Sequence, residues 1–259
     1  MTKEGDVTQM KKMLITTLFL LFSITCFAAN IEISPVKVYL DGKTRIEKVS
    51  IKNRDESDIS LKVKVFRWTQ EEGGADKYED TEDLIVVPRI INLKKGEERI
   101  LRIGINKLLG TKEATYRIYI EEVPQREEET KGATVKLYMK IGIPVFVTPE
   151  KTHPKVEIEE PKVENKELKF KVINKGNAHT VIGGITVTGN DAHGKNVFIR
   201  EVGGWYLLAE AARHYQVPIP EISGAQNLKI KVKLIGPPDK TLEREISLQK
   251  PQMRGDKND

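Results

Sequence analysis

From residue 31 to residue 247 apolar residues recur at every second position in one short segment after another, with the three-and-four spacing of a helix nearly absent. Side chains of an extended chain point alternately to opposite faces, so a chain written this way folds into strands that each bury one face. The longest run is VKLYMKIGIPVFV, residues 135–147. Val135, Leu137, Met139, Ile141, Ile143, Val145 and Val147 are apolar without a break, and Lys136, Tyr138, Lys140, Gly142 and Pro144 hold positions between them. An ordinary strand has about 5–6 residues. A run roughly twice that length raises the question of what covers its apolar stripe, and part of the cover need not be this chain.

The strand signals fall into two series. IEISPVKVYL, EKVSIKN, DISLKVKVFRW, LIVVPRIINL, RILRIGI, TYRIYIEEVP and the long run make seven within residues 30–148, with turn chemistry between them. That is the pattern of an immunoglobulin-like sandwich. EEGGADKYEDTED reads as a polar connection. Pro149, Pro154 and the charges between them mark a break. Beyond it KVEIEEP, ELKFKVIN, TVIGGITVTG, NVFIREV, NLKIKVKLIG and LEREISL predict a second all-β domain over residues 149–250. WYLLAEAARHYQ is the one segment that could pass for a short helix, and residues 251–259 read as a disordered polar tail.

The first 29 residues carry Lys11 and Lys12, an apolar run from Met13 to Phe27, and small residues after it. This is the three-part form of a secretory leader, too short for a membrane span, with cleavage expected after Ala28 or Ala29. The mature chain would be exported, without stable membrane insertion. It would also lack cysteine, because Cys26 is the only one, so its fold must stand on hydrophobic cores without a disulfide framework. A net charge of +5 with no long basic run argues against nucleic acid as a partner.

Catalytic chemistry is not written in the chain. There is no G-x-S-x-G, and the four histidines, His153, His179, His193 and His214, lack metal-ligand spacing, so no enzyme, metal or cofactor is expected. Glu121 and Glu122 are neighbours on a strand and point to opposite faces. RGD at Arg254 to Asp256 is a three-residue match of the kind chance supplies.

VKVYLDG, VFRWTQ, VVPRIINLKKGEERILRI, YRIYIEEVP and LYMKIGIPVFV in the first half, with VINKGNAH and WYLLAEAARHY in the second, resemble the PapD-like periplasmic pilus chaperones of the chaperone-usher pathway. The ending IPVFV and the segment VFRWTQ look closer to the archaic branch. The resemblance implies two immunoglobulin-like domains set at an angle and an ATP-independent binding function. Pilus subunits would be completed by a donor strand of the chaperone and delivered to an outer-membrane usher. Val135, Leu137, Met139 and Ile141 match the donor residues, while Ile143, Val145 and Val147 match residues of the chaperone's own core. In the family two basic residues grip the subunit's terminal carboxylate. Lys37 matches the first; the second falls on Pro144, for which Lys140 or Arg89 could substitute. An unloaded donor edge is also a surface for self-association. The rival reading is a structural or adhesive pilus component built from the same modules. It would call for a free apolar segment after the leader and a missing final strand.

Overall fold

The computed structural model describes residues 31–106, 110–124, 137–220, 224–236 and 239–248. The leader, the tail, and with them Val135 and Lys136 lie outside the described residues. Every regular element among the described residues is a strand: β1 (Ile31–Ser34), β2 (Val38–Leu40), β3 (Ile46–Asn53), β4 (Ile59–Gln70), β5 (Asp76–Asp80), β6 (Leu84–Val87), β7 (Ile90–Leu93), β8 (Glu98–Ile105), β9 (Ala114–Glu122), β10 (Lys140–Val147), β11 (Val156–Glu164), β12 (Glu167–Asn174), β13 (Thr180–Asn190), β14 (Asn196–Val202), β15 (Tyr206–Leu207), β16 (Ala212–Pro218), β17 (Asn227–Ile235) and β18 (Thr241–Ser247).

The first ten make two sheets. One has the order β1-β3-β8-β6; the other runs β2-β10-β9-β4-β5, with β7 also on β4. Alternation in the sequence decides which face is buried. Ile59, Leu61, Val63 and Val65 of β4 meet Val49 and Ile51 of β3, Leu101 and Ile103 of β8, and Ile143, Val145 and Val147 of β10 in one core. The remaining strands make sheets β11-β12-β16 and β14-β13-β17-β18, with β15 on β13. Leu228, Ile230, Val232 and Leu234 of β17 are buried in the second core, as their spacing predicts.

Three segments differ from the sequence reading. EEGGADKYEDTED is more than a connection, because Asp76–Asp80 pairs with β4 to form a hairpin. The turn holds Gly74 at φ +88°, and a Cβ there would meet Arg213 Cγ at 2.7 Å. WYLLAEAARHYQ is not a helix. Buried Asn174 donates through Nδ2 to the carbonyls of Leu207 and Leu208, and Glu210 takes φ 60°, so the segment runs strand, turn, strand. Among the described residues of the long run the strand extends from Lys140 to Val147; Leu137 is 76% exposed and Met139 half-buried ahead of it.

Candidate functional site: a free strand edge beside an interdomain cleft

β10 pairs along its whole length with β9, from Lys140 opposite Glu121 to Val147 opposite Ala114. On its other side β2 covers only Val145 to Val147. Among the described residues the edge from Lys140 to Pro144 is therefore open, and the ladder on the β9 side continues one step further, because the Glu122 N–H donates to the Met139 carbonyl at 2.9 Å. An open edge presents unpaired backbone donors and acceptors to another chain. Ile143 is 1% exposed and belongs to the core, Ile141 packs partly against that core, and Leu137 stands in solvent. The stripe read from the sequence is thus divided between core and surface near Ile141.

The face of this sheet away from the core meets the second domain. Trp68, Phe146 and Leu208 are buried together, with Tyr78, Tyr206 and Ala211 packed around them. The His179 ring stacks on Phe146 at a centroid distance of 3.6 Å. Glu113 Oε1 accepts from the His179 backbone N–H at 2.9 Å and lies 2.8 Å from His179 Nδ1. Gln70 on β4 completes the second domain's backbone. Its Nε2 donates to the Tyr206 carbonyl at 2.9 Å and to Asp76 Oδ1 at 3.0 Å, and its Oε1 accepts from the Leu208 N–H at 3.0 Å. Asp76 Oδ2 accepts from Trp205 Nε1 at 2.7 Å, and the Gly74 carbonyl from Arg213 Nη1 at 2.6 Å.

Cations line the same face. Pro144 stands opposite Arg117 of β9. Continuing the parallel register of β2 with β10 one step back puts Lys37 level with Pro144 from the other side. Lys37 and Arg117 thus flank Pro144 from its two sides. Arg117 is 6% exposed; its guanidinium lies 4.2 Å from the Trp68 ring centroid, and its Nε is buried without a hydrogen-bond partner. Gly142 makes the space, since a Cβ there would stand 3.2 Å from Arg117 Cδ and 3.0 Å from Tyr119 Cε1. Lys37 Nζ is 5.6 Å from the Tyr206 ring centroid. Among the described residues neither Lys37 nor Arg117 makes an ion pair, while the nearby carboxylate Glu113 is occupied by His179. Two cations without a counterion in a partly dry cleft are a site for an anion.

The other candidates lie elsewhere. Lys140 is four residues along β10 and pairs with Glu121 at 3.0 Å, which Lys64 also holds at 2.6 Å. Those partners, Lys64 foremost, hold the Glu121 carboxyl below its usual value. Arg89 sits beyond β4, where its carbonyl accepts from the Val63 N–H at 2.8 Å, two strands away from β10. Sequence reasoning missed Arg117. Parity places it on the face opposite Tyr116 and Ile118, but only the strand register puts it across from Pro144. Among the described residues no group of three or more His, Cys, Asp or Glu is placed to hold a metal ion, and no helix is long and apolar enough to cross a membrane.

Comparison with known proteins agrees with this architecture. Residues 30–153 match the family model described as "Pili and flagellar-assembly chaperone, PapD N-terminal domain". No curated protein matches the sequence. Among solved structures, a chain of the chaperone–tip adhesion subunit pre-assembly complex CsuC-CsuE, from archaic Csu pili of Acinetobacter baumannii, is 18% identical with a TM-score of 0.55, covering 72% of this chain and 90% of that one. The class 5 fimbriae chaperone CfaA is 16% identical with a TM-score of 0.55, covering 83% and 98%. A chain of the Salmonella enterica complex of SafA pilin with the SafB chaperone is 15% identical with a TM-score of 0.52, covering 86% and 99%. Residues 30–153 thus match the N-terminal domain of the PapD-like pilus chaperones, and the chain shares the fold of these solved structures.

Proposed function

We propose that this protein is a periplasmic chaperone that holds exported pilus subunits on the open edge of β10 and passes them to an outer-membrane usher. The observation that carries this reading is the edge itself. Among the described residues no strand lies beside it from Lys140 to Pro144, and exposed Leu137 leads into it. A subunit strand added there would gain backbone bonds, and alternate side chains of the chaperone would fill its pockets. Val135, Leu137, Met139 and Ile141 are the proposed donors. Burying such a side chain is worth about 1.5–3 kcal/mol. The subunit's terminal carboxylate would sit between Lys37 and Arg117, with Lys140 and Arg89 as the outer alternatives. Each charge-assisted bond contributes about 1.5–3 kcal/mol and fixes the register, because a slip of one residue turns every donor away from its pocket. No catalytic step or cofactor enters this function.

The test is affinity purification of the C-terminally tagged protein from the periplasm of its own host, with a Lys37→Ala/Arg117→Ala variant beside it. A stoichiometric β-rich subunit recovered with the wild type and lost with the variant is the expected result. Recovery of the chain inside shed surface fibres would instead support a structural role.

A further inference from the structure

The two cations of the cleft share one neighbour, and it comes from the other domain. The Tyr206 ring centroid lies 5.6 Å from Lys37 Nζ and 5.9 Å from Arg117 Cζ. The ring itself is fixed. It meets Trp68 edge-on at 5.2 Å and lies 5.7 Å from Phe146 and 6.0 Å from His179. Its backbone is clamped by Gln70 and paired to Val181 of β13. An aromatic face attracts cations and limits where they rest. Lys37 is otherwise an exposed lysine just ahead of the short edge strand β2, with many rotamers to lose on binding.

We propose that Tyr206 is the positioning residue of the anion site: its ring holds Lys37 and Arg117 facing one carboxylate, so that the site is complete only while the second domain is docked on the first. This deepens the proposed chaperone function and rests on it. The ligand class is the free C-terminal carboxylate of an extended polypeptide lying along β10. The ring, not the phenol oxygen, does the positioning, so phenylalanine serves where leucine does not.

The probe is a short peptide of alternating valine and threonine with an N-terminal fluorophore, made once as the free acid and once as the C-terminal amide, its binding to the full protein read by anisotropy. The wild type should prefer the acid about tenfold or more, the ratio expected for a charge-assisted bond. Tyr206→Leu should bring the two affinities to within about threefold of each other. Its affinity for the amide should not change, and Tyr206→Phe should keep the wild-type preference. A Tyr206→Leu protein that still prefers the acid as the wild type does overturns the positioning role and leaves the carboxylate anchor standing. Equal loss of acid and amide binding also overturns it, because Tyr206 would then merely support the fold. A wild type that binds both peptides alike, or neither, removes the anchor itself and the inference with it.

Discussion

The two domains are built on one plan and finish their edges differently. Each has a buried asparagine at the end of a strand. Asn53 Nδ2 donates to the carbonyls of Ser57, Leu93 and Lys94, and Asn174 Nδ2 to those of Ala178, Leu207 and Leu208. Each Oδ1 accepts a backbone N–H two residues on, from Asp55 and from Gly176. The edges share nothing comparable. β11 carries Glu157, Glu159, Glu160 and Glu164, paired to Lys175, Lys171 and Lys162, and a register shift between Glu159 and Lys162 interrupts its ladder. β18 likewise sets Glu243 against Lys229 and Lys231. Charge and bulges keep an edge from recruiting another strand. β10 offers Ile141, Gly142, Ile143 and Pro144 along its open side after Lys140, with no bulge in its pairing to β9. β11 and β18 are thus guarded against strand addition in a way that the open stretch of β10 is not.

The largest expected effect divides the β10 stripe. Ile143→Glu would bury an unpaired carboxylate in the first core and should abolish folding of that domain, a cost above about 4 kcal/mol. Leu137→Glu changes a side chain already in solvent and should leave the unfolding free energy within about 0.5 kcal/mol of the wild type, while abolishing subunit capture. Chemical denaturation and co-purification measure the two halves of the prediction. Unfolding of the Leu137→Glu protein would mean that the stripe is core throughout.

Next come the asparagine corners. Removing either side chain orphans buried carbonyls, so Asn53→Ala and Asn174→Ala should each destabilise their own domain by about 2–4 kcal/mol. Only the second should reach the cleft, because Leu207 and Leu208 lie beside Tyr206 and Gln70. Tryptophan fluorescence from Trp68 and Trp205 should therefore shift in the native Asn174→Ala protein and stay put in Asn53→Ala. Identical spectra would remove the link between corner and interface.

These comparisons also separate what the chain states locally from what only its pairing reveals. The cores of β4, β10 and β17 follow directly from parity: Leu61, Val145 and Ile230 sit where alternation places them. The turn after Tyr206 was not legible, because leucine, alanine and glutamate favour helix locally, and the carbonyls of Leu207 and Leu208 are claimed by an asparagine distant in sequence. Lys37 enters the candidate site through the resemblance that VKVYLDG carries. Arg117 could not be read from the sequence, since an arginine between two tyrosines has no signature until β9 lies against β10. Fold class is a property of short windows, whereas the proposed anion site is a property of register.

The smallest effect concerns acid. Lysine partners hold Glu157, Glu160, Glu164 and Glu243 of the second domain below the usual carboxylate value of 4.5, chiefly through Lys175, Lys171, Lys162 and Lys229. A carboxyl whose pKa is lowered by folding adds stability above its unfolded pKa and loses it as pH falls through the folded one. The guard of β11 and β18 should thus hold at neutral pH and fail only below 4.5, as these carboxylates become neutral. Because the pairs are exposed, the loss in unfolding free energy should be small. The sharper readout is local: neutral glutamic acids leave Lys175, Lys171, Lys162 and Lys229 without their counterions, so amide hydrogen exchange of β11 and β18, corrected for its intrinsic dependence on pH, should rise below that pH. Glu157→Gln/Glu243→Gln should bring part of that rise to neutral pH. Corrected exchange of these two strands that is constant over this window, and insensitive to those substitutions, would mean that the ion pairs do not hold the edges.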